Sequence, residues 1–208
     1  MNTKYIIEYH REAVVRYVSH LDFVRVMNRV IRRAELPMAY SEGFNPHPLM
    51  GFALPLSTGV TSSCEKMELT LKEEMPANEF LKKLQDNMPK GFTVVSVTQV
   101  PPNTKSPIKG ISRAVYRVAG VQEVEANALA DFMSKTEILV DKRTKSGIKN
   151  TDIRQDIFGL RQENGELVME LSAGNERNLK PETVLLAMEL YITGFSSAYD
   201  SIHRQSMM

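Results

Sequence analysis

The stretch SHLDFVRVMNRVIRRAELP, residues 19–37, decides the predicted fold of the first half of the chain. Its apolar residues recur every three or four positions, which is typical of an amphipathic helix. Ser19 is a favourable N-cap residue, and Asp22 three positions later forms an acidic variant of the capping box. Pro37 limits the helix at its other end. The stretch therefore predicts a helix over residues 21–35.

Strand patterns lie on both sides of this helix. The runs that predict the other elements are residues 4–9 and 13–18 (β-type, as one irregular strand or a hairpin), 65–72 (alternating), 76–88 (helical) and 92–100 (β-type). One further strand or hairpin fits within residues 49–61. The resulting order, β-α-β-β-α-β, is the ferredoxin-like pattern.

The second half repeats this order of elements. Its predicted elements are strands at residues 114–118, 138–141, 151–160, 167–171 and 195–204, and helices at 124–135 and 181–191. Asn164-Gly165 is a hairpin signal, and residues 142–150 form a charged excursion. We therefore predict an α+β chain of two consecutive ferredoxin-like (βαββαβ-type) half-domains with antiparallel sheets. They cover residues 1–100 and 111–208, and the proline-rich residues 101–110 form a linker.

Composition excludes several classes of protein. With 42% hydrophobic and 25% charged residues, the 208-residue chain is expected to be globular rather than disordered. A net charge of +1 means that any electrostatic function depends on local clustering. The one cysteine, Cys64, cannot form an internal disulfide, a four-cysteine zinc site or an iron–sulfur cluster. No signal peptide and no apolar run of about 20 residues is present, so we expect a cytoplasmic protein with no membrane association.

The first predicted helix carries a basic stripe. Arg25, Arg29, Arg32 and Arg33 fall opposite its apolar face. The planar guanidinium group is a good ligand for phosphate, which predicts a phosphate- or RNA-binding face. The alternative is a solvated face whose arginines pair with carboxylates, as Asp22 can pair with Arg25.

A proline-rich loop follows this helix directly. Its candidate residues for contact with a substrate or partner are Ser41, Gly43, Phe44, Asn45, Pro46 and His47. A rigid loop that displays an aromatic ring suits base stacking or insertion into a partner pocket. The alternative is that Phe44 fills the core and the prolines only shape the turn.

A second basic cluster lies in DKRTKSGIKNTDIR, residues 141–154. Five basic residues stand against two acidic ones there. The candidate polyanion contacts are Lys142, Arg143, Lys145 and Lys149. The alternative is an exposed loop without a ligand.

Catalytic and metal-binding motifs are weak. The four histidines occur in no HxH, HxxxH or HExxH arrangement, so no metal site is predicted, and no cofactor motif occurs. His20, beside Ser19, is the candidate general base if the chain cleaves RNA without a metal. A histidine that caps the helix or packs in the core is the alternative.

The run from Ser19 to Glu65 resembles the radical-SAM-linked family of uncharacterised proteins, DUF2344. Further positions that carry the resemblance are His20, Asp22, Arg25, Arg29, Arg32, Arg33, Pro37, Ser41, Gly43, Phe44, Asn45, Pro46, Pro48 and Gly59. The resemblance implies a partner rather than a reaction: a radical SAM enzyme, encoded separately because one cysteine cannot hold its cluster. The two ferredoxin-like halves are also similar to the CRISPR repeat-processing endoribonucleases, in fold alone.

Three functions therefore remain open. The first is a non-catalytic accessory module that binds tRNA or ribosomal RNA and presents it to the radical SAM enzyme. The second is a metal-independent endoribonuclease that uses His20. The third is a protein-interaction subunit that docks through residues 43–48 without nucleic acid.

Overall fold

The chain is a mixed α+β protein with antiparallel strand pairs. The computed structural model describes residues 2–101, 104–144, 147–174 and 176–208, with the side chains of all of these except Arg143 and Thr144. Two compact units divide it, Met1–Ile111 and Ser112–Met208. Each unit contains two α-helices in its described part.

The first unit packs two helices against one antiparallel sheet. Its elements are β1 (Thr3–Arg11), α1 (His20–Arg33), β2 (Met50–Phe52), β3 (Val60–Leu71), α2 (Ala77–Asn87) and β4 (Phe92–Gln99). Strand β1 pairs with both β4 and β3, and β2 pairs with β3, so the strands are ordered β4-β1-β3-β2. Tyr5, Ile7, Met27, Leu69 and Phe80 are among the residues of its core.

The second unit repeats that arrangement with an added hairpin. Its elements are β5 (Arg113–Ala119), α3 (Ala126–Ser134), β6 (Leu139–Thr144), β7 (Gly147–Asp152), β8 (Ile157–Glu163), β9 (Glu166–Ser172), α4 (Pro181–Tyr191) and β10 (Ser201–Met207). The strands are ordered β10-β5-β9-β8, while β6 and β7 pair with each other. Without that hairpin, the order of elements and of neighbouring strands equals that of the first unit.

Several predicted elements are confirmed. Helix α1 begins at His20, after the Ser19 cap, and the chain leaves it at Glu35, whose φ is +50°. Helix α4 begins at Pro181, as the sequence predicts. Asn164 and Gly165, with φ of 54° and 77°, form the tight turn between β8 and β9. Positive φ at both positions is what a type I′ hairpin turn requires.

The prediction of β-structure over residues 13–18 is wrong. Ala13–Val15 forms a 3₁₀ turn. The cause is Arg11, which is 4% exposed and whose guanidinium donates to the carbonyls of Val15, Arg16 and Val18. A buried cation bound by three nearby backbone carbonyls holds the turn, and hydrophobic patterning carries no signal of it.

The prediction of one strand over residues 151–160 is also wrong. One Asp152 carboxylate oxygen accepts the N–H groups of Ile138 and Arg154, both at 2.9 Å. These two bonds end β7, and a 3₁₀ turn, Arg154–Asp156, separates it from β8. Residues 142–150, expected as a charged excursion, lie mostly in the two strands of the β6–β7 hairpin.

The proline-rich segment between the units is partly packed. Pro107–Gly110 forms a 3₁₀ turn within the stretch expected to be a linker. Ile108 is buried in a small apolar cluster with Ile6 and Val100. This end of the segment is therefore part of the first unit and not a free connection.

Candidate functional site

The apolar face of α1 determines where its arginines point. Phe23, Met27, Val30 and Ile31 are buried in the core of the first unit. Phe23 itself stacks on other aromatic rings of that core, with centroid distances of 5.1 and 4.8 Å. Because these residues fix the rotation of the helix, the opposite face is turned to solvent. The exposed residues there include Arg25, Arg29, Arg32 and Arg33.

One of the four arginines is neutralised by a carboxylate. Arg25 lies 2.7 Å from Asp22, whose carboxylate also accepts the Ser19 hydroxyl at 2.7 Å. The hydrogen bond from Ser19, and then that from Arg25, lower the pKa of Asp22 below its ordinary 3.8. Asp22 therefore keeps its negative charge well into the acidic range.

The other three arginines lack such a partner. Arg33 donates to the backbone carbonyl of Asn87, which leaves its charge uncompensated. The side chains of Arg29 and Arg32 form no ion pair or hydrogen bond within the described part of the chain. The alternative of a carboxylate-paired face thus applies to Arg25 alone, and the other positive charges face solvent.

The loop after α1 is closed by its own polar groups. The Ser41 N–H donates to the His47 carbonyl at 2.9 Å, and the His47 N–H donates to the Ser41 hydroxyl oxygen at 3.1 Å. The same hydroxyl lies 3.0 Å from Nδ1 of His47. A bridge between Tyr40 and Pro48 flanks these contacts. Residues 41–48 therefore form a closed loop with a fixed base.

Phe44 lies on this loop with its ring fully in solvent, at 104% relative exposure. The alternative that Phe44 fills the core is therefore wrong. Gly43 has a φ of +113°, which favours glycine, and Asn45 and Pro46 are exposed as well. The loop displays one large apolar side chain that contributes nothing to the core.

The His20 imidazole packs against an aromatic ring and is not held by any polar side chain that the structure describes. Its ring meets Phe52 edge-on at a centroid distance of 5.1 Å, and the residue is half-buried at the start of α1. Among the described residues, no carboxylate or amine forms a hydrogen bond with its imidazole. The arrangement is that of a histidine packed at the base of a helix.

The basic cluster of the second unit lies on the β6–β7 hairpin. Lys142 and Lys149 are directly opposite each other in the ladder. The backbone of Arg143 pairs with that of Ile148, but its side chain lies outside the described part of the structure, and Lys145 lies outside it altogether. Side chains that are opposite across an antiparallel pair lie on the same face, so two positive charges stand together there.

A cavity of about 650 Å³ lies against this hairpin, entirely within the second unit. Its lining residues are Val140, Asp141, Lys142, Asn178, Lys180, Thr183, Leu186, Glu189 and Leu190. Sequence analysis missed it, although α4 gives one signal. Leu186 and Leu190, one turn apart, are exposed on the side opposite its buried residues.

Two classes of site are not found in the described residues. No group of three or more histidine, cysteine or acidic side chains is arranged to hold a metal ion. No helix there has both the length and the apolar character needed to cross a bilayer.

Known structures support the fold. The chain is similar to one chain in the crystal structure of a Cbf5–Nop10–Gar1 complex, with a TM-score of 0.51 and 8% sequence identity. The similarity covers 96% of this chain and 47% of the other, so this chain spans about half the length of its structural neighbour. At this identity the similarity concerns the fold alone.

Sequence comparison gives the family. No curated protein matches the chain. The model of a family described as an uncharacterised protein conserved in bacteria, DUF2344, matches residues 4–181. That match includes α1, the loop after it and the β6–β7 hairpin. The chain therefore belongs to the DUF2344 family.

Proposed function

We propose that this protein is a cytoplasmic, non-catalytic module that binds RNA and presents it to a separately encoded radical SAM enzyme. The RNA would be a tRNA or a ribosomal RNA. The observation that carries the proposal is the set of uncompensated arginines on α1, Arg29, Arg32 and Arg33. The enzyme partner rests on the family resemblance described above.

The charge pattern of α1 favours a polyanion over a protein partner with mixed charges. A chain of net charge +1 has little long-range attraction for nucleic acid, so local cations must supply it. Guanidinium groups one turn apart on a helix can contact successive phosphates, which are the dominant source of affinity for nucleic acids. Such contacts position an RNA without reading its sequence.

The loop at residues 41–48 supplies the second element of the proposed interface. An exposed aromatic ring on a loop can stack on an unpaired base. The eight Cα–Cα steps from Arg33 to Ser41 span at most about 28 Å, so one folded RNA can contact both features. We assign phosphate contacts to the helix and base contact to Phe44, assisted by Asn45 and His47.

We also infer that each unit is a ferredoxin-like fold and that the β6–β7 hairpin is an insertion in the second unit. The matching strand orders, β4-β1-β3-β2 and β10-β5-β9-β8, support this inference.

The second unit offers a further cation for the proposed contact with RNA, the exposed Lys149, with Arg143 and Lys145 close to it in sequence.

The test is a salt titration of labelled bulk tRNA binding. Wild type is compared with a variant in which Arg25, Arg29, Arg32 and Arg33 are all changed to Ala. If each of the three uncompensated arginines neutralises one phosphate, the variant flattens the plot of log affinity against log salt by roughly 2–3 units. Circular dichroism checks that both proteins are folded.

A matched control removes the same charge elsewhere. Its changed residues are the exposed Lys82, Lys90, Lys105 and Lys109, each to Ala. This variant should retain most of the wild-type salt slope. Equal slopes in the arginine variant and wild type would overturn the proposed RNA face.

A second candidate function is a protein-docking subunit without RNA, and the full exposure of Phe44 favours it. Large aromatic side chains are frequent hot spots of protein interfaces. On that account, a complex with the radical SAM enzyme forms after nuclease treatment, and Phe44→Ala disrupts it. On the RNA account, nuclease treatment itself removes most of the complex. A pull-down with and without nuclease separates the two.

A further inference from the structure

The cavity in the second unit has a fixed wall. The backbone N–H of Leu139, at the start of β6, donates to the Tyr191 hydroxyl oxygen at 3.0 Å. This bond ties the hairpin to the end of α4, and Val140 is buried beside it. On the other side, a bridge from Ala173 to Asn178 holds the chain that leads into α4. The walls are therefore anchored before any ligand enters.

The cavity wall carries two carboxylates and two ammonium groups, so its formal charge is zero, but of these only the carboxylates have hydrogen-bond partners among the described residues. Asp141 accepts the Asn150 amide at 2.9 Å, and Glu189 accepts the Ser197 hydroxyl at 2.7 Å. Lys142 and Lys180 form no ion pair and no side-chain hydrogen bond within the described part of the chain. The wall therefore offers two free ammonium groups.

The hairpin ladder adds an independent indication of an anion. Lys142 is directly opposite Lys149. Like charges opposite each other in an antiparallel pair destabilise it. Other side chains could occupy either position without that repulsion. A negatively charged ligand beside Lys142 would remove the cost.

The rest of the wall is aliphatic. Leu186 and Leu190 are 54% and 71% exposed on α4, one turn apart, and Val140 lies across from them. A cavity of about 650 Å³ is within the size range of small-molecule sites, which combine an apolar lining with a few polar groups. No aromatic side chain is among the lining residues described, so an aliphatic body fits this lining better than a flat ring.

We propose that this cavity binds a small organic anion with an aliphatic body, whose carboxylate or phosphate head contacts Lys142 and Lys180. The aliphatic part lies on Leu186 and Leu190. Thr183 and Asn178 provide further polar groups along the wall. The site is separate from the arginines of α1 and does not depend on RNA binding.

The test is a competition experiment with the full chain and the fluorescent aliphatic carboxylate cis-parinarate. Decanoate and octyl phosphate are titrated against the bound probe and distinguish the two head groups. Inorganic phosphate has the head without the chain, and octanol has the chain without the charge. The proposal predicts one saturable probe site that decanoate, octyl phosphate or both displace at concentrations where inorganic phosphate and octanol do not.

Variants locate the site. Lys142→Gln combined with Lys180→Gln should weaken displacement about tenfold or more, because charge-assisted hydrogen bonds are lost. Leu186→Gln should weaken it through the aliphatic part. These three residues are not in the core, so the variants should fold, which thermal unfolding checks.

Two matched controls complete the design. Lys109→Gln removes an exposed lysine of the first unit, and Ile148→Gln removes an exposed aliphatic residue of the same hairpin that does not line the cavity. Both should behave like wild type. Octanol as effective as decanoate, no displacement by either amphiphile, or displacement unchanged in the lysine and leucine variants would each overturn the proposal.

Discussion

Helices α1 and α4 both bury an apolar face, but one exposes charged side chains and the other exposes aliphatic ones. Both place a set of apolar side chains in the core of their own unit, including Met27 on α1 and Met188 on α4. Away from the core, α1 exposes four arginines, whereas α4 exposes Leu186 and Leu190. The buried faces explain why each helix is there. The difference between the exposed faces has no role in the core, and the two proposals above assign the two faces to different ligands.

The comparison also shows how one arrangement of strands supports two surfaces. Both units have the same order of neighbouring strands, yet the rigid loop follows α1 in the first and the β6–β7 hairpin precedes β8 in the second. Binding residues are concentrated on such connections because the scaffold positions them without constraining their sequence.

The largest expected effects test the equivalence of the buried faces. Met27→Ala and Met188→Ala should each lower the free energy of unfolding by about 2–5 kcal/mol, because both side chains are completely buried. Arg29→Ala and Leu186→Gln should each change it by less than about 0.5 kcal/mol. Urea unfolding of the four variants measures this. A large loss of stability in Arg29→Ala would mean that the arginine face is structural.

The next effect tests whether the loop after α1 contacts an RNA base through Phe44. Phe44→Ala should lower the affinity for single-stranded RNA by about 1–3 kcal/mol, the usual value for one stacked base. Phe44→Tyr keeps an aromatic ring and should bind like wild type. Fluorescence anisotropy at a fixed salt concentration gives both affinities. Equal affinities of Phe44→Ala and wild type would remove base stacking from the account.

A smaller effect on stability is expected from the difference in N-terminal capping between the two helices. Ser19 caps α1 by accepting the Asp22 N–H at 3.1 Å, whereas α4 starts at Pro181 with no side-chain cap from Lys180. Ser19→Ala should therefore cost about 1 kcal/mol of stability. Lys180→Ala should cost much less. Thermal unfolding compares the two, and similar losses would contradict the difference in capping.

The smallest effect is a pH dependence in both units. Hydrogen bonds from the Ile138 and Arg154 N–H groups lower the pKa of Asp152 below its ordinary 3.8, as the Ser19 hydroxyl does for Asp22. A lowered pKa in the folded state means that the stabilisation is fully present above pH 3.8. It is lost as the pH falls through the folded-state value. Carboxyl NMR titration should give both pKa values below 3.8.

The Asp152→Asn variant is the control for the titration of Asp152. Its amide oxygen can still accept the two backbone N–H groups but does not titrate in this range. The protection factor of the Ile138 amide against hydrogen exchange, which corrects for the intrinsic pH dependence of exchange, should therefore fall on acidification in wild type and not in the variant. The same fall in both proteins would mean that Asp152 is not the group responsible.

Local sequence signals predicted much of the fold. Ser19 and Pro181 mark the starts of two helices, and Asn164-Gly165 marks one hairpin, because capping and turn geometry are properties of a few adjacent residues. The orientation of the α1 arginines followed from helical periodicity. Each of these features depends on contacts close together in the chain.

The errors arise where distant or buried polar groups decide the structure. Arg11 turns residues 13–15 away from a strand by donating to backbone carbonyls, and Asp152 ends β7 by accepting backbone N–H groups. Neither role appears in a hydrophobic pattern. The cavity was missed for a related reason, since its walls combine β6, residues of α4 from Thr183 to Leu190 and the chain before that helix. Such a site depends on tertiary packing.

The most direct test of the central claim compares paired and unpaired arginines on the same helix. Salt titrations of tRNA binding are run on wild type, on Arg25→Ala, and on Arg29→Ala combined with Arg32→Ala. The double variant should lower the salt slope by about 2 units, since each free arginine releases close to one counterion. Arg25→Ala should change it much less, because Asp22 already neutralises that charge. Equal slopes in all three proteins, or no binding by wild type at low salt, would contradict the claim that α1 is an RNA-binding surface.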